Sequence, residues 1–227
     1  MIAKRTPGVR AGLTREQILD AALKIVDGGR FGGESAASGA APSAGARDQG
    51  GLGALTMRRL GAALGVEAMT IYHYFPTKDA LVDGLSERLF TGAAEPVAGA
   101  GTWREQLFAY AESLRRALLA HPALLPVIAR PAVTPATLDA VESTLGMLIA
   151  AGFPLARAVD VLNALTVFVI GHATAETAIG APAPPPGLDP ERHPLLFEAA
   201  RSGAGADDYE RFRYAIRSLL IGFDPAG

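Results

Sequence analysis

Between Leu55 and Phe75 the chain reads LTMRRLGAALGVEAMTIYHYF, and the two glycines in that run constrain the fold more than any other feature. Thr56 stands where an N-cap belongs, ahead of a helix carrying Leu60 and Leu64 on its inner face. Gly65 supplies the left-handed residue that ends this helix and reverses the chain. Gly61 leaves room for a second helix to cross closely, and Val66 and Ile71 then face back onto Leu60 and Leu64. Leu60, Gly61, Leu64, Gly65, Val66 and Ile71 together are what a helix-turn-helix needs.

With those positions turned inward, Glu67, Ala68, Met69, Thr70, Tyr72 and His73 project outward from the second helix. In a helix-turn-helix that face enters the major groove of DNA, its N-terminal residues foremost. Ala68 and Met69 suit thymine methyls, whereas Thr70 and His73 suit base edges or phosphates. Thr56, Arg58, Tyr72, Tyr74 and Lys78 are candidates for holding phosphates, which fix position and carry no sequence information. The helix starting near Thr77 adds backbone amides for an oxyanion. Solvated polar residues on an ordinary corner of two helices would read similarly; the run Tyr72–His73–Tyr74–Phe75 followed by Pro76 and Lys78 is more specific.

The rest of the pattern is helical, and strand-type alternation is never sustained, so the fold class is all-α. Thr14 caps a first helix through Val26, stopped by Gly28–Gly29. Further helices are expected over Lys78–Phe90, Thr102–His121, Thr134–Ala151, Pro154–Thr177 and Asp207–Ile221. Short segments are expected at Pro122–Arg130 and His193–Ala200. Of 227 residues, 49% are hydrophobic and 19% charged, which supports a sizeable core. The net charge of −2 divides unevenly. Residues 1–90 hold 11 Lys+Arg against 9 Asp+Glu, and residues 91–227 hold 10 against 14. Nucleic-acid contact must therefore come from a local patch on the front part. Cys is absent, which excludes disulfide scaffolds, thiol nucleophiles and cysteine-ligated metals.

Residues 28–51 depart from this pattern. They hold eight Gly and six Ala in 24 positions, a flexible insertion with no packing face. No Gly-Lys-Ser/Thr follows the glycines, so it is not a phosphate loop. Lengthening a loop from about 5 to about 24 residues costs only about 1.4 kcal/mol of closure entropy.

Residues 13–90, in LTREQILDAALKIVD and LGALTMRRLGAALGVEAMTIYHYFPTKDALVDGL, resemble the DNA-binding domain of the TetR family of transcriptional repressors. The resemblance implies an N-terminal three-helix helix-turn-helix DNA-binding domain whose third helix reads DNA. It also implies a fourth helix leading into a C-terminal helical ligand-binding and dimerisation domain. The family's tyrosine-aromatic-aromatic end and following lysine fall on Tyr72, His73, Tyr74 and Lys78. TWREQLFAYAESLRRALLAHP and LGMLIAAGFPLARAVDVLNALTVFVIG are similar to the regulatory domain of the tetracycline-repressor class. The domains expected are a basic disordered arm (1–12), the DNA-binding domain (13–76) and the regulatory and dimerisation domain (77–227).

In that class two late helices of each subunit form a four-helix bundle, here about Pro154–Thr177 and Asp207–Ile221. Their apolar residues (Val159, Leu162, Val169, Ile170; Phe212, Ile216, Leu219, Leu220) exceed what one small domain hides, favouring a homodimer on a pseudo-palindromic operator. Matching the family's drug pocket by position puts Tyr110, Leu114, Ile128, Thr144 and Val167 around a cavity. Asn163, the chain's only Asn, and His172, one helical step from Glu176, are polar groups on the most apolar helix and need partners. The histidine that carries the magnesium chelate in tetracycline-binding members falls on Val167. No metal or cofactor is therefore expected, and the effector should be mostly apolar, aromatic or macrocyclic.

The function expected is a ligand-released repressor in the cytoplasm. The start MIAKRTPGVRAG never becomes an apolar run, and Val161–Ile170 is far shorter than the roughly 20 residues of a membrane span. The alternatives are a helix-turn-helix adaptor controlled by a protein partner, and an all-α enzyme. The four histidines form no His-Glu-x-x-His motif, and there is no nucleophile elbow.

Overall fold

A computed structural model describes residues 12–28, 50–94, 101–128, 133–178, 187–203, 205 and 207–225. Among the described residues every regular element is helical: α1 (Arg15–Val26), α2 (Met57–Leu64), α3 (Ala68–Tyr72), α4 (Lys78–Ala94), α5 (Trp103–Ala120), α6 (Leu125–Ile128), α7 (Pro135–Ala150), α8 (Leu155–Ala178), α9 (Pro194–Ser202) and α10 (Asp208–Gly222). A short 3-10 turn, Pro122–Leu124, leads into α6. The expected arm at 1–12 lies outside the described residues except for Gly12, and the expected insertion except for its ends.

The chain divides into two compact units, residues 1–85 and 86–227. In the first, α1 opens with a capping box: Thr14 Oγ1 accepts from Gln17 N–H, and Gln17 Oε1 accepts from Thr14 N–H. Ile18, Ala22 and Ile25 on one stripe of α1 are fully buried, together with Leu55, Leu60, Ile71 and Leu81. Phe75 closes this core. The Arg15 guanidinium lies 4.3 Å from its ring centroid, and Gly84 of α4 is so close that a β-carbon there would stand 2.8 Å from Phe75 Cε1.

The expected insertion leaves and re-enters the first unit at one point. Gly51 N–H donates to Val26 O at 2.6 Å, and a β-carbon on Gly50 would stand 3.2 Å from Gly28 Cα. The α1 end is thus held to the start of the following segment. The intervening residues need span almost no distance.

In the second unit α8 packs against α5, α7 and α10. Its buried stripe is Ala158, Val161, Leu165, Val169 and Ala173. The α8 helix runs for 24 residues with a mean hydropathy of 1.5 in its most apolar window, so by length and composition it could cross a membrane. The apolar run Val161–Ile170 is therefore only the middle of a longer helix. Its buried stripe marks α8 as a core helix of this unit, and 28% of that window is buried. Much of its apolar surface is left uncovered. Asp207 caps α10 by accepting from the Tyr209 and Glu210 amides. Arg104 of α5 donates to the Leu220 and Phe223 carbonyls at the other end of α10, a favourable place for a cation.

Candidate functional site

The sequence builds the helix-turn-helix by two glycine effects. Gly65 takes φ 68° and ends α2, a conformation that disfavours any residue with a β-carbon. Gly61 is required for space: a β-carbon there would lie 2.8 Å from Val66 O and 3.1 Å from Ala68 N. The turn backbone therefore rests directly on α2, and Val66 N–H donates to Gly61 O at 2.9 Å. Ile71 and Phe75 anchor α3 in the core.

This arrangement exposes Glu67, Met69, Tyr72 and His73 and leaves Ala68 and Thr70 half-buried. Met69, at 64% exposure, is the most exposed residue of α3. Arg58 is exposed on α2. Thr56 Oγ1 accepts from Arg59 N–H at 3.1 Å, a bond that does not use its own proton.

Two residues read from the sequence as phosphate contacts already hold internal carbonyls. The Tyr74 hydroxyl donates to Leu13 O. Its only proton is thereby committed, and a phosphate offers acceptors alone. Lys78 Nζ donates to Leu52 O at 2.7 Å but retains two further N–H donors. The two bonds tie the segment after α3 and the start of α4 to distant parts of the first unit, so these side chains help to position α3.

The second unit contains a cavity of about 260 Å³. Phe90 and Ala94 of α4, Tyr110 of α5, Thr144 and Leu145 of α7, and Asn163 and Thr166 of α8 form much of its wall. Of the seven residues expected around a ligand, the structure brings Tyr110, Thr144 and Asn163 to this cavity. Leu114 and Ile128 are fully buried in the core and Val167 is 61% exposed; none of the three lines it. His172 lines a separate groove with Glu176 and Phe168. Position matching carried no information about which way α8 is rotated, and that rotation turns Val167 outward.

Thr166, one helical step from Asn163 and so on the same face, joins it on the cavity wall, a place the sequence expectations do not give it. Its Oγ1 lies 3.2 Å from the Tyr110 hydroxyl. Burial pushes Tyr110 above the usual phenol range, an effect partly opposed by its hydrogen bond to Thr166. Tyr110 is therefore a neutral donor at neutral pH.

His172 belongs to a polar cluster at the meeting of α5, α8 and α10. Arg115 grips Glu176 with two bonds of 2.6 and 3.1 Å, and His172 Nδ1 lies 3.6 Å from Glu176 Oε2. Burial holds His172 below its ordinary pKa; Glu176 opposes this, while Arg115 and Arg211 reinforce it. Arg115 also lies over the rings of Tyr209 and Phe212. Among the described residues no group of three or more His, Cys, Asp or Glu side chains could hold a metal ion.

Comparison with known proteins matches both units. Residues 48–85 fit the profile of bacterial regulatory proteins of the tetR family, and residues 95–220 fit the tetracyclin repressor-like C-terminal domain. The chain belongs to the TetR family. It is 32% identical over 185 residues to an HTH-type transcriptional repressor of Mycobacterium tuberculosis, covering 73% of this chain and 71% of that one. It is 29% identical to the class D tetracycline repressor protein of Escherichia coli, over 94% of this chain and 90% of that one. Among solved structures, apo ActR from Streptomyces coelicolor superposes with a TM-score of 0.71 at 25% identity, covering 95% and 96% of the two chains. This TetR-family regulator is a DNA-binding transcription factor and not an enzyme.

Proposed function

We propose that the protein is a cytoplasmic, ligand-released repressor that binds a pseudo-palindromic operator as a homodimer. The proposal divides it into a DNA-binding domain (13–76) and a regulatory and dimerisation domain (77–227). The observation that carries the reading is the cavity in the second unit, walled by four helices and with no charged side chain among its described lining residues. A preformed apolar pocket with a few polar groups is the usual form of a small-molecule site. Ligand complexes exist among similar proteins: ActR has been solved with actinorhodin.

Reading of DNA falls to Ala68, Met69, Thr70 and His73, with Thr56, Arg58, Tyr72 and Lys78 on phosphates. Dimerisation is supported by the apolar side chains that α8 and α10 leave exposed, including Leu155, Val159, Val167, Tyr214 and Ile221. Two copies read two half-sites, and joining them raises affinity through effective concentration. The uninterrupted helix α4 begins at Lys78 and carries Phe90 and Ala94 on the cavity wall. It is the element through which occupancy of the cavity would act on the reading heads. A 100-fold loss of operator affinity requires a coupling of about 2.7 kcal/mol, within the usual allosteric range.

At about 260 Å³ the cavity lies just below the roughly 300–1,000 Å³ of pockets for drug-sized ligands. A compact effector is thus favoured over the macrocycle that the sequence left open. Selection of bound sequences from random duplex DNA tests the reading, with sedimentation of the complex giving its stoichiometry. An inverted repeat bound by two chains is the expected result. A single chain on DNA, or no enriched sequence at low salt, would refute it.

A further inference from the structure

The polar groups of the cavity can be accounted for one proton at a time. Thr137 donates to Thr134 O and Thr144 to Ala140 O, both at 2.9 Å, so both hydroxyl protons are committed. The other two threonines of α8 do the same on their own helix: Thr174 donates to Ile170 O and Thr177 to Ala173 O. Thr166 does not. Its oxygen is turned to Tyr110, where two hydroxyls share one bond and, among the described residues, one proton has no acceptor. Among the described residues nothing charged lines the wall, and an ionised ligand would lose hydration there without a counter-charge from them. Asn163, also on the wall, is exposed.

We infer that the cavity takes an uncharged, mostly hydrocarbon molecule whose carbonyl oxygen accepts the Tyr110 hydroxyl proton, while Thr166 donates to the Tyr110 oxygen. The inference rests on the cavity being the effector site and goes beyond it by naming the ligand's chemistry. The order Thr166 to Tyr110 to carbonyl strengthens both bonds, because each polarises the next. It also explains why Thr166 leaves its own helix carbonyl. Among the described lining residues a carboxylate meets no cation and an ammonium no anion.

Calorimetric titration of the full chain with butyrophenone, butylbenzene and phenylbutyrate tests this. The first two differ only in the carbonyl; the third carries a carboxylate. Tyr110→Phe should weaken butyrophenone about tenfold while leaving butylbenzene within about twofold, because only the carbonyl loses a partner. In that variant Thr166 can turn back to the Leu162 carbonyl, as threonines in helices do. Thr166→Val keeps the Tyr110 proton and should weaken butyrophenone less than Tyr110→Phe does. Phenylbutyrate should bind none of the three proteins. Equal effects of Tyr110→Phe on both neutral probes would overturn the inference, as would tighter binding of phenylbutyrate than of butyrophenone or no binding of either neutral probe. DNA affinity measured with butyrophenone bound separates the two levels. Tyr110-dependent binding without release of DNA would refute the effector reading alone, and Tyr110-independent binding with release would refute this inference alone.

Discussion

Gly61 and Gly65 lie four residues apart and serve different physical needs, so replacing each by alanine separates space from conformation. At Gly61 the new β-carbon would meet Val66 O at 2.8 Å and Ala68 N at 3.1 Å. Both are backbone atoms and cannot swing aside. Restoring ordinary contact requires the turn to retreat by about 0.5 Å. Alanine gains roughly 0.5–1 kcal/mol over glycine inside a helix, but overpacking of this kind costs about 1–3 kcal/mol. The net loss expected is about 1–2 kcal/mol, which lowers the Tm of a unit of this size by roughly 4–16 °C. Because Ala68 begins α3, the retreat also shifts the helix proposed to read the bases. Gly65→Ala meets no atom within 4 Å and carries only the strain of φ 68°, about 1–2 kcal/mol. The assays are calorimetry and fluorescence anisotropy on the selected operator, at a temperature where both variants are folded. Gly61→Ala should lose operator affinity more than tenfold, and Gly65→Ala should lose stability while keeping most of its affinity. Wild-type Tm and affinity for Gly61→Ala would refute the steric argument. So would an equal loss of affinity in both variants.

Deleting residues 30–49 should leave operator binding intact and stability unchanged or raised by about 1 kcal/mol, since Gly28 and Gly50 already touch; anisotropy and thermal melting check this. Lys78→Met should weaken all operators alike and reduce the slope of log affinity against log salt by about 0.9. A lowered Tm with an unchanged slope would assign Lys78 solely to its bond with Leu52. His172 is held below its ordinary pKa by burial, with Arg115 and Arg211 adding to the effect against Glu176. The unfolded chain therefore binds more protons than the folded one as pH falls through His172's ordinary range, and stability should drop there. His172→Gln should flatten that drop in denaturant melts at pH 7.5 and 5.5.

The sequence alone carried the helix-turn-helix, because its requirements are local. A cap at Thr56, a left-handed residue at Gly65 and apolar residues at helical spacing are set within about twenty positions and do not depend on what packs above them. The all-α class was legible for the same reason. Only the tertiary structure could decide where long side chains end. It tied Tyr74 to Leu13 and Lys78 to Leu52, across 61 and 26 residues, and it brought Gly28 against Gly50. It also fixed the rotation of α8, which sends Asn163 and Thr166 to the cavity and Val167 away from it. Periodicity identifies which residues share a helix face. It cannot tell which neighbour that face meets, because packing partners are chosen by contacts between segments remote in the chain.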